Sequence, residues 1–126
     1  GIVYCHKYHL DKLLATRDTA PDCIRLAGGA AKSRVWTQMF ADILGIPVET
    51  VNVNETGALG CAIAAATAVG DYASIDEAAS AMCPLGARVL PNAENSRYYE
   101  ARYGLYKKAV ACLDGLWDDM QKVIEG

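Results

Sequence analysis

The 126-residue sequence lacks the features that mark several classes of protein. Its formal charge at pH 7 is -3, so it has no general attraction for nucleic acid or for an anionic membrane. It has no uninterrupted apolar run near the ~18 residues that a membrane helix needs, and its first residues do not resemble a signal peptide. We therefore expect no nucleic-acid or membrane partner, and a cytoplasmic location.

Paired cysteines are also lacking, although the chain contains five cysteines. The number is odd, no two form a CxxC pair, and each cysteine stands among apolar neighbours, which predicts buried, reduced thiols. His6 and His9 lie three apart on one helical stripe, a spacing compatible with a metal site. No third ligand is evident nearby, so a packed or interface histidine pair is favoured and no metal site is assigned. The cysteines are Cys5, Cys23, Cys61, Cys83 and Cys112.

An initiator methionine, internal repeats and low-complexity tracts are absent as well. The chain opens inside an apolar pattern with helical spacing, at "GIVYCHKYHLDKLL". We therefore expect residues 1–126 to be a single domain, or a fragment of one, from a longer protein.

What the chain does contain is a pattern of alternating helices and strands. Hydrophobic residues make up 52% of it and charged residues 21%, as in many α/β proteins. The predicted order is α-β-α-β-α-α-α, since apolar spacing of three and four marks helices and short β-capable runs mark strands. The predicted helices are Gly1–Leu14, Ser33 to Gly45, Asn54 or Thr56 to Val69, Ser74–Met82 and Arg97–Ile124; the strands are Cys23–Ala27 and Val48–Val53, with an edge strand at Ala87–Leu90.

Capping residues support these boundaries. Ser33 is a suitable N-cap for the second helix, and Gly45 is a suitable stop for it. Ser74 followed by Glu77 has the spacing of a capping box at the fourth helix. The β-α-β order between the two strands predicts that they pair in parallel, in a sheet covered on both faces.

The third predicted helix is different in character. Its sequence, "NETGALGCAIAAATAVG", is rich in alanine on nearly every face. Asn54 or Thr56 is suited to cap it, and Gly70 to end it. Such a helix is expected to be buried and closely approached by neighbouring backbone.

The stretch "LAGGAAKS", Leu26 to Ser33, is either a ligand-binding loop or only a packing turn between a strand and a helix. Gly28 and Gly29 bring backbone N–H groups within reach of a ligand at a helix start, where phosphates bind readily. A Walker loop is excluded because no glycine precedes Lys32. The glycine spacing also does not match the GxGxxG fingerprint of dinucleotide-binding domains. Glu55, which follows the second strand, is the one residue that still supports a dinucleotide-binding domain.

A second glycine-bearing junction follows the second strand. Gly57 and Gly60 lie near the helix start in "NETGALGCA". Because the carboxyl ends of parallel strands lie at one sheet edge, the two junctions are expected to form one wall of a shared pocket.

These motifs together resemble the C-terminal domain of the FGGY carbohydrate kinases. The family pattern is a strand, GGG[AS]xS, a helix with Trp and an ADxLG ending, a strand, and ExxGALGAA; this chain has "GGAAKS", "VWTQMFADILGIPV" and "NETGALGCAIAA". The resemblance implies an α/β fold that is half of an actin-like, ribonuclease-H-like ATPase, with parallel strands flanked by helices and a long C-terminal helix. It implies a xylulokinase-like, two-domain sugar kinase.

The resemblance also implies a binding site. Backbone at Gly28, Gly29 and Ala30 would lie against the α-phosphate and ribose of ATP, with Ser33 near the adenosine. The turn from Glu55 to Gly60 would pack beside the nucleotide. Ala30 stands where many members of the family have a glycine. Its methyl group would narrow the space through which the nucleotide approaches the backbone.

In the family, a sugar hydroxyl accepts the γ-phosphoryl group of ATP, an aspartate of the N-terminal domain is the general base, and Mg²⁺ neutralises phosphate charge. The motifs for that aspartate and for the sugar contacts are not in this chain, so the fragment alone is expected to be inactive and no catalytic residue is assigned. The chain's isolated aspartates are interpreted as surface or cap residues: Asp11, Asp18, Asp22, Asp42 and Asp71.

Two functions remain open. One is the ATP-binding half of a sugar kinase, with a ketopentose such as xylulose as substrate. The other is a non-catalytic, actin-like nucleotide-binding or regulatory module. In either case, the aromatic helix from Tyr98 to Trp117 has an apolar surface that a partner would bury, and a homodimer is one such arrangement.

Overall fold

Helices and strands alternate along the chain in the predicted order. The computed structural model describes residues 1–125, so Gly126, the last residue of the predicted domain, lies outside the described residues. A short 3-10 helix, Gly29–Lys32, stands between the first strand and the second helix. The helices are α1 (Ile2–Leu14), α2 (Arg34–Leu44), α3 (Thr56–Ala68), α4 (Ile75–Met82) and α5 (Ala93–Glu125); the strands are β1 (Ile24–Leu26), β2 (Val48–Val51) and β3 (Leu85–Val89).

The sheet is three-stranded and mixed, in the order β1-β2-β3. β1 and β2 pair in parallel, with Ile24 opposite Val48, which confirms the predicted β-α-β unit. β3 pairs antiparallel to β2, with Val48 opposite Val89. The predicted edge strand therefore exists, but it begins at Leu85, two residues before its predicted start.

The hydrophobic core lies against one face of this sheet. Val48 is fully buried there, among Val3 of α1 and Phe40 and Leu44 of α2. The expectation of a sheet covered on both faces is wrong for the described residues. Side chains alternate between the two faces along a strand, so one face of this sheet carries the core residues and the other carries charged residues.

That opposite face holds an ion-pair cluster across all three strands. Glu49 of β2 lies 3.7 Å from Arg25 of β1, between its Oε2 and the arginine Nε, and 3.1 Å from Arg88 of β3, between its Oε1 and Nη1. The side chains of Arg25 and Arg88 are 64% and 49% exposed. Such a face is stable in water without a covering helix.

α3 is not buried, contrary to the prediction. None of its residues is buried, and its main packing neighbour is α4. Ala78 is the one buried side chain in the α3–α4 pair within the described residues. An all-round apolar helix needs neighbours on several faces, and the described chain supplies one.

The helix caps agree with the sequence except at α3. The N–H of Trp36 donates to Ser33 Oγ at 3.4 Å, Gly45 ends α2 with φ 68°, and the N–H of Glu77 donates to Ser74 Oγ at 3.2 Å. At α3 the cap position is taken by Glu55, whose side chain makes no cap hydrogen bond. The prediction of Asn54 or Thr56 as cap is wrong because the helix begins at Thr56 itself.

The first half of α5 packs against α1. Tyr103 is buried, and its hydroxyl donates to Asp11 Oδ2 at 2.7 Å. Burial, followed by this hydrogen bond, raises the pKa of the Tyr103 hydroxyl. Tyr4 of α1 adds a hydrogen bond from its hydroxyl to the carbonyl of Tyr99, at 3.4 Å.

Asp42 holds the start of α5 in place. The interpretation of Asp42 as a surface or cap residue is wrong, since it is 2% exposed and lies within α2. It accepts hydrogen bonds from the N–H of Asn92 at 2.7 Å, from Asn95 Nδ2 at 2.8 Å and from Gln38 Nε2 at 2.7 Å. Asn92 Oδ1 in turn accepts from the N–H groups of Glu94 and Asn95, and α5 begins at Ala93, four residues earlier than predicted.

The cysteines are free thiols but are less buried than predicted. Cys5, Cys61 and Cys112 are exposed, and Cys23 and Cys83 are half-buried. Three of them lie on helix faces that the described chain leaves uncovered, which explains the difference.

The two histidines are exposed rather than buried in a packed pair. His6 packs its ring on Phe40, with ring centroids 5.4 Å apart, and His9 Nδ1 lies 2.8 Å from the carbonyl oxygen of Cys5. Across residues 1–125 no three His, Cys, Asp or Glu side chains are grouped as a metal site would require. In the same range, no helix has both the length and the apolar character needed to cross a bilayer.

Candidate functional site

Two loops meet at the carboxyl ends of β1 and β2. After Leu26, the chain turns through Gly28 into the 3-10 helix and then α2; after Val51, it turns through Asn52 and Asn54 into α3. Because β1 and β2 are parallel, both turns lie at one edge of the sheet. A cavity of about 350 Å³ lies between them, lined by Gly28, Ala31, Lys32, Thr50, Val51, Asn52, Val53, Asn54, Gly86 and Ala87. The predicted shared pocket of the two junctions therefore exists in part.

β3 completes this cavity, a contribution that was not predicted from the sequence. Because β3 is antiparallel, its first residues lie beside the carboxyl end of β2, with Leu85 opposite Val51. A Cβ at Gly86 would collide with the hydroxyl of Thr50. Glycine at this position thus lets β3 approach β2 at the cavity wall, and its only signal was the sequence Pro-Leu-Gly directly before the predicted edge strand.

The glycine loop leaves its backbone open. Gly28 has φ 82° and ψ -160°, a conformation that favours glycine over other residues. A Cβ at Gly28 or Gly29 would meet no atom within 4 Å, so the space beside both residues is free. The N–H groups of Gly29 and Ala30 open the 3-10 helix, where no helical acceptor precedes them. A ligand can therefore reach main-chain donors here.

The four predicted binding residues do not share one cavity. Gly28 lines the cavity between the two loops, with Lys32 beside it. Gly29, Ala30 and Ser33 line an adjacent cavity of about 370 Å³ with Trp36. The glycine loop therefore faces two cavities. Gly28 lines one of them, and Gly29, Ala30 and Ser33 line the other.

More than half of the chain, including both loops, matches one known protein family. Residues 1–69, which include both loops, match the FGGY family of carbohydrate kinases, C-terminal domain. This chain belongs to the FGGY family. It carries the C-terminal domain of that family, as its motifs predicted.

Curated relatives of this FGGY domain are much longer proteins. It is 35% identical over 115 residues to the L-xylulose/3-keto-L-gulonate kinase of Escherichia coli (strain K12). The matched region covers 91% of this chain and 23% of that kinase. It is 41% identical over 75 residues to the autoinducer-2 kinase of Yersinia pestis (strain Pestoides F), covering 60% of this chain and 14% of that protein. The chain thus spans less than a quarter of the length of either relative.

Solved structures show the same fold. The ligand-bound xylulose kinase from Lactobacillus acidophilus superposes with a TM-score of 0.83 at 22% identity, over 95% of this chain and 24% of that one. The xylulose kinase from Rhodospirillum rubrum gives a TM-score of 0.72 at 26% identity, over 93% and 24%. The fold is therefore the α/β fold of sugar-kinase domains, which is half of an actin-like fold, here with a mixed sheet and a long C-terminal helix.

The second motif of the FGGY domain, "ETGALG", lies beside the cavity but does not line it. Glu55 takes the cap position of α3, while Gly57 and Gly60 lie within the exposed first turns of that helix. The preceding residues Asn52 and Asn54 line the cavity instead. Asn54 was predicted only as a helix cap, although a polar residue directly after a parallel strand is itself a signal for this edge.

The cavity between the loops is lined by polar groups and, among the described residues, by no acidic side chain. Its described lining includes no carboxylate, one ammonium group at Lys32, and the hydroxyl and amide groups of Thr50, Asn52 and Asn54. These groups can donate hydrogen bonds to an anion or a sugar hydroxyl. They include no general base, so this edge is suited to binding a ligand rather than to abstracting a proton.

Proposed function

We propose that this chain is the ATP-binding C-terminal half of a two-domain carbohydrate kinase. The complete enzyme transfers the γ-phosphoryl group of ATP to a sugar hydroxyl. Membership of the FGGY family supports this reaction class. Similarity to a kinase of L-xylulose and 3-keto-L-gulonate, and to two xylulose kinases, favours a ketopentose such as xylulose as the sugar.

The observation that carries the proposal is the open backbone of the glycine loop at the carboxyl edge of the sheet. Free space beside Gly28 and Gly29 leaves room for the nucleotide, and the nearby cavity contains no carboxylate to repel phosphate. In our proposal, backbone at Gly28, Gly29 and Ala30 contacts the α-phosphate and ribose. Ser33 keeps its cap bond to Trp36 and stands near the adenosine.

The division of labour in the enzyme follows from what the loops contain. The described lining offers no carboxylate, so we assign the general base and the sugar contacts to the N-terminal domain. The described residues also do not fit a site for the Mg²⁺ that accompanies ATP, since they form no acidic cluster, and we place its ligands outside them. When bound, Mg²⁺ neutralises phosphate charge. The chain alone is then inactive, and the complete enzyme acts in the cytoplasm.

Nucleotide binding is tested by Gly29→Val in the protein expressed from its complete gene. The φ of Gly29 is not positive and its surroundings are open, so valine is compatible with the fold but occupies the space proposed for the nucleotide. We expect the Kd for ADP, measured by calorimetry, to rise roughly tenfold or more. Gly115→Ala, on the exposed part of α5, is the matched control and should leave the Kd unchanged.

An unchanged ADP affinity in Gly29→Val, with intact folding, would remove this loop from the nucleotide site. The reaction itself is tested by ATP turnover with a panel of pentuloses, hexuloses and glycerol. Turnover with a pentulose is expected. ADP binding without turnover on any of these sugars would favour the non-catalytic nucleotide-binding module instead.

A further inference from the structure

Lys32 is a cation without a partner at the end of the glycine loop. Within residues 1–125, the side chains that form ion pairs with carboxylates are those of Lys7, Arg25, Arg88 and Lys122. Lys32 forms no ion pair there, yet it lines the cavity of about 350 Å³ between the two loops, together with Gly28. Its positive charge is therefore available to a ligand in that cavity.

The turn after β2 adds two carboxamides to the same cavity. Asn52 and Asn54 both line it, and neither side chain has a hydrogen-bond partner among the residues that the structure describes. The backbone N–H of Asn52 donates to the carbonyl of Pro84 at 3.0 Å, which holds this turn against the start of β3. The hydroxyl of Thr50, in contrast, already donates to the carbonyl of Ala87 at 3.4 Å. One ammonium group and two amide groups can therefore donate hydrogen bonds to an anion here.

The cavity on the other side of the glycine loop has a different chemistry. Gly29, Ala30, Ser33 and Trp36 line it, and none of them has a charged side chain. The indole of Trp36 has a flat apolar face, on which an aromatic base can pack. The loop thus separates an uncharged cavity from one that carries a positive charge. A nucleotide has the same division, with an uncharged base at one end and an anionic phosphate chain at the other.

Neighbouring charges do not alter this division. Glu55 takes the cap position of α3 and does not line the cavity between the loops. Arg34 lines a third cavity, beside Asp42, and neither of the two that adjoin the glycine loop. Lys32 is therefore the one charged side chain in the described lining of these two cavities.

We propose that Lys32 makes this site prefer a nucleoside diphosphate or triphosphate to the nucleoside. The phosphate chain passes Gly28 into the cavity between the loops, where the Lys32 ammonium binds it. Asn52 and Asn54 donate further hydrogen bonds to the same phosphates, and the base lies on the side of Trp36. This inference rests on the proposed nucleotide-binding function. It adds a residue that selects for charge, which the backbone of the glycine loop does not do by itself.

Lys32→Gln tests this inference in the protein expressed from its complete gene, with the Kd for ADP and for adenosine measured by calorimetry. We expect the Kd for ADP to rise about tenfold, whereas the Kd for adenosine should change less than about twofold, because adenosine has no phosphate. Lys32→Arg keeps the charge and should restore most of the ADP affinity. Lys108→Gln removes one exposed charge on α5 and is the matched control.

Salt provides a readout that a purely structural role of Lys32 would not change. Raising the ionic strength from about 0.05 M to about 0.5 M should weaken ADP binding in the unmodified protein, because ions screen the attraction between the ammonium and the phosphates. The same change should weaken ADP binding less in Lys32→Gln. Equal salt dependence in the two proteins would overturn the inference.

Asn54→Asp places a negative charge in the same cavity. The carboxylate has nearly the shape of the amide, and Asn54 is exposed, so the fold should tolerate the change. We expect the Kd for ADP to rise about tenfold or more, since the carboxylate repels the phosphates and pairs with Lys32. The Kd for adenosine should stay unchanged. Gln121→Glu, an exposed amide-to-carboxylate change on α5, is the control.

The outcomes separate this inference from the function on which it rests. If Gly29→Val weakens ADP binding and Lys32→Gln does not, the loop remains the nucleotide site and Lys32 has no part in it. An equal loss of ADP and adenosine affinity in Lys32→Gln would also overturn the inference. Inorganic phosphate is the last probe. If Lys32→Gln weakens phosphate binding but leaves the Kd for ADP unchanged, the cavity binds a separate anion and the assignment to the nucleotide is wrong.

Discussion

α2 and α3 begin in the same way and end in different environments. Each follows a parallel strand of the sheet and starts beside a loop at its carboxyl edge. α2 has six buried residues, whereas α3 has none within the described chain. The difference arises from pattern rather than hydrophobicity, because an apolar stripe needs one neighbour and an all-round apolar surface needs several.

The contrast extends to polar groups. α2 buries Asp42 in a set of hydrogen bonds that reaches the start of α5. α3 has Thr67 as its comparable polar residue, and this hydroxyl donates to the carbonyl of Ile63 within the same helix, at 2.9 Å. α2 therefore connects parts of the fold, while α3 makes its side-chain hydrogen bond internally. Three pairs of substitutions test this comparison.

The largest expected effect is at the core. Phe40→Ala should lower the free energy of unfolding by about 3–4 kcal/mol, because it leaves a cavity between α1, α2 and β2. Ile63→Ala in α3 removes a half-buried side chain and should cost about 1 kcal/mol or less. Urea denaturation of the 126-residue chain measures both. Equal losses would show that α3 is packed as tightly as α2.

The next effect is at the buried carboxylate. Asp42→Ala removes the acceptor of three hydrogen bonds and should cost roughly 3 kcal/mol, because the donors of Gln38, Asn92 and Asn95 lose their partner. Thr67→Ala is the matched change in α3 and should alter stability by less than about 0.5 kcal/mol. The same denaturation curves report both changes. A cost for Thr67→Ala as large as that for Asp42→Ala would contradict the distinction.

The smallest effect is at the helix starts. Ser33→Ala removes the cap bond of α2 and should cost about 1 kcal/mol. Glu55→Ala at the same position of α3 removes no cap hydrogen bond and should be close to neutral. Thermal unfolding followed by circular dichroism resolves the difference as a shift in Tm. A Tm loss for Glu55→Ala that matches Ser33→Ala would mean that α3 depends on its cap as α2 does.

Local signals in the sequence predicted most elements correctly. Ser33 and Gly45 bounded α2, Ser74 and Glu77 marked the start of α4, and spacing of three and four identified α1 and α5. These features depend on residues within one or two turns of each other. They are therefore readable without knowledge of the fold.

The candidate site was only partly predictable, because its walls come from distant parts of the chain. The glycine loop and the turn after β2 were both visible as motifs, and the family match agrees with them. The role of Gly86 was not predictable, since it depends on β3 running antiparallel against Thr50. The separation of Gly28 from Gly29, Ala30 and Ser33 depends on the turn of the 3-10 helix.

The sequence by itself determined the β-α-β unit, both ends of α2, the start of α4, the glycine loop and membership of the FGGY family, because each rests on short-range spacing or on the order of motifs. Only the tertiary structure decided which apolar surfaces are covered. It buried Asp42 and Tyr103, and it left α3 and the second half of α5 exposed. The physical reason is that burial depends on neighbours brought from far along the chain, and composition alone does not specify them.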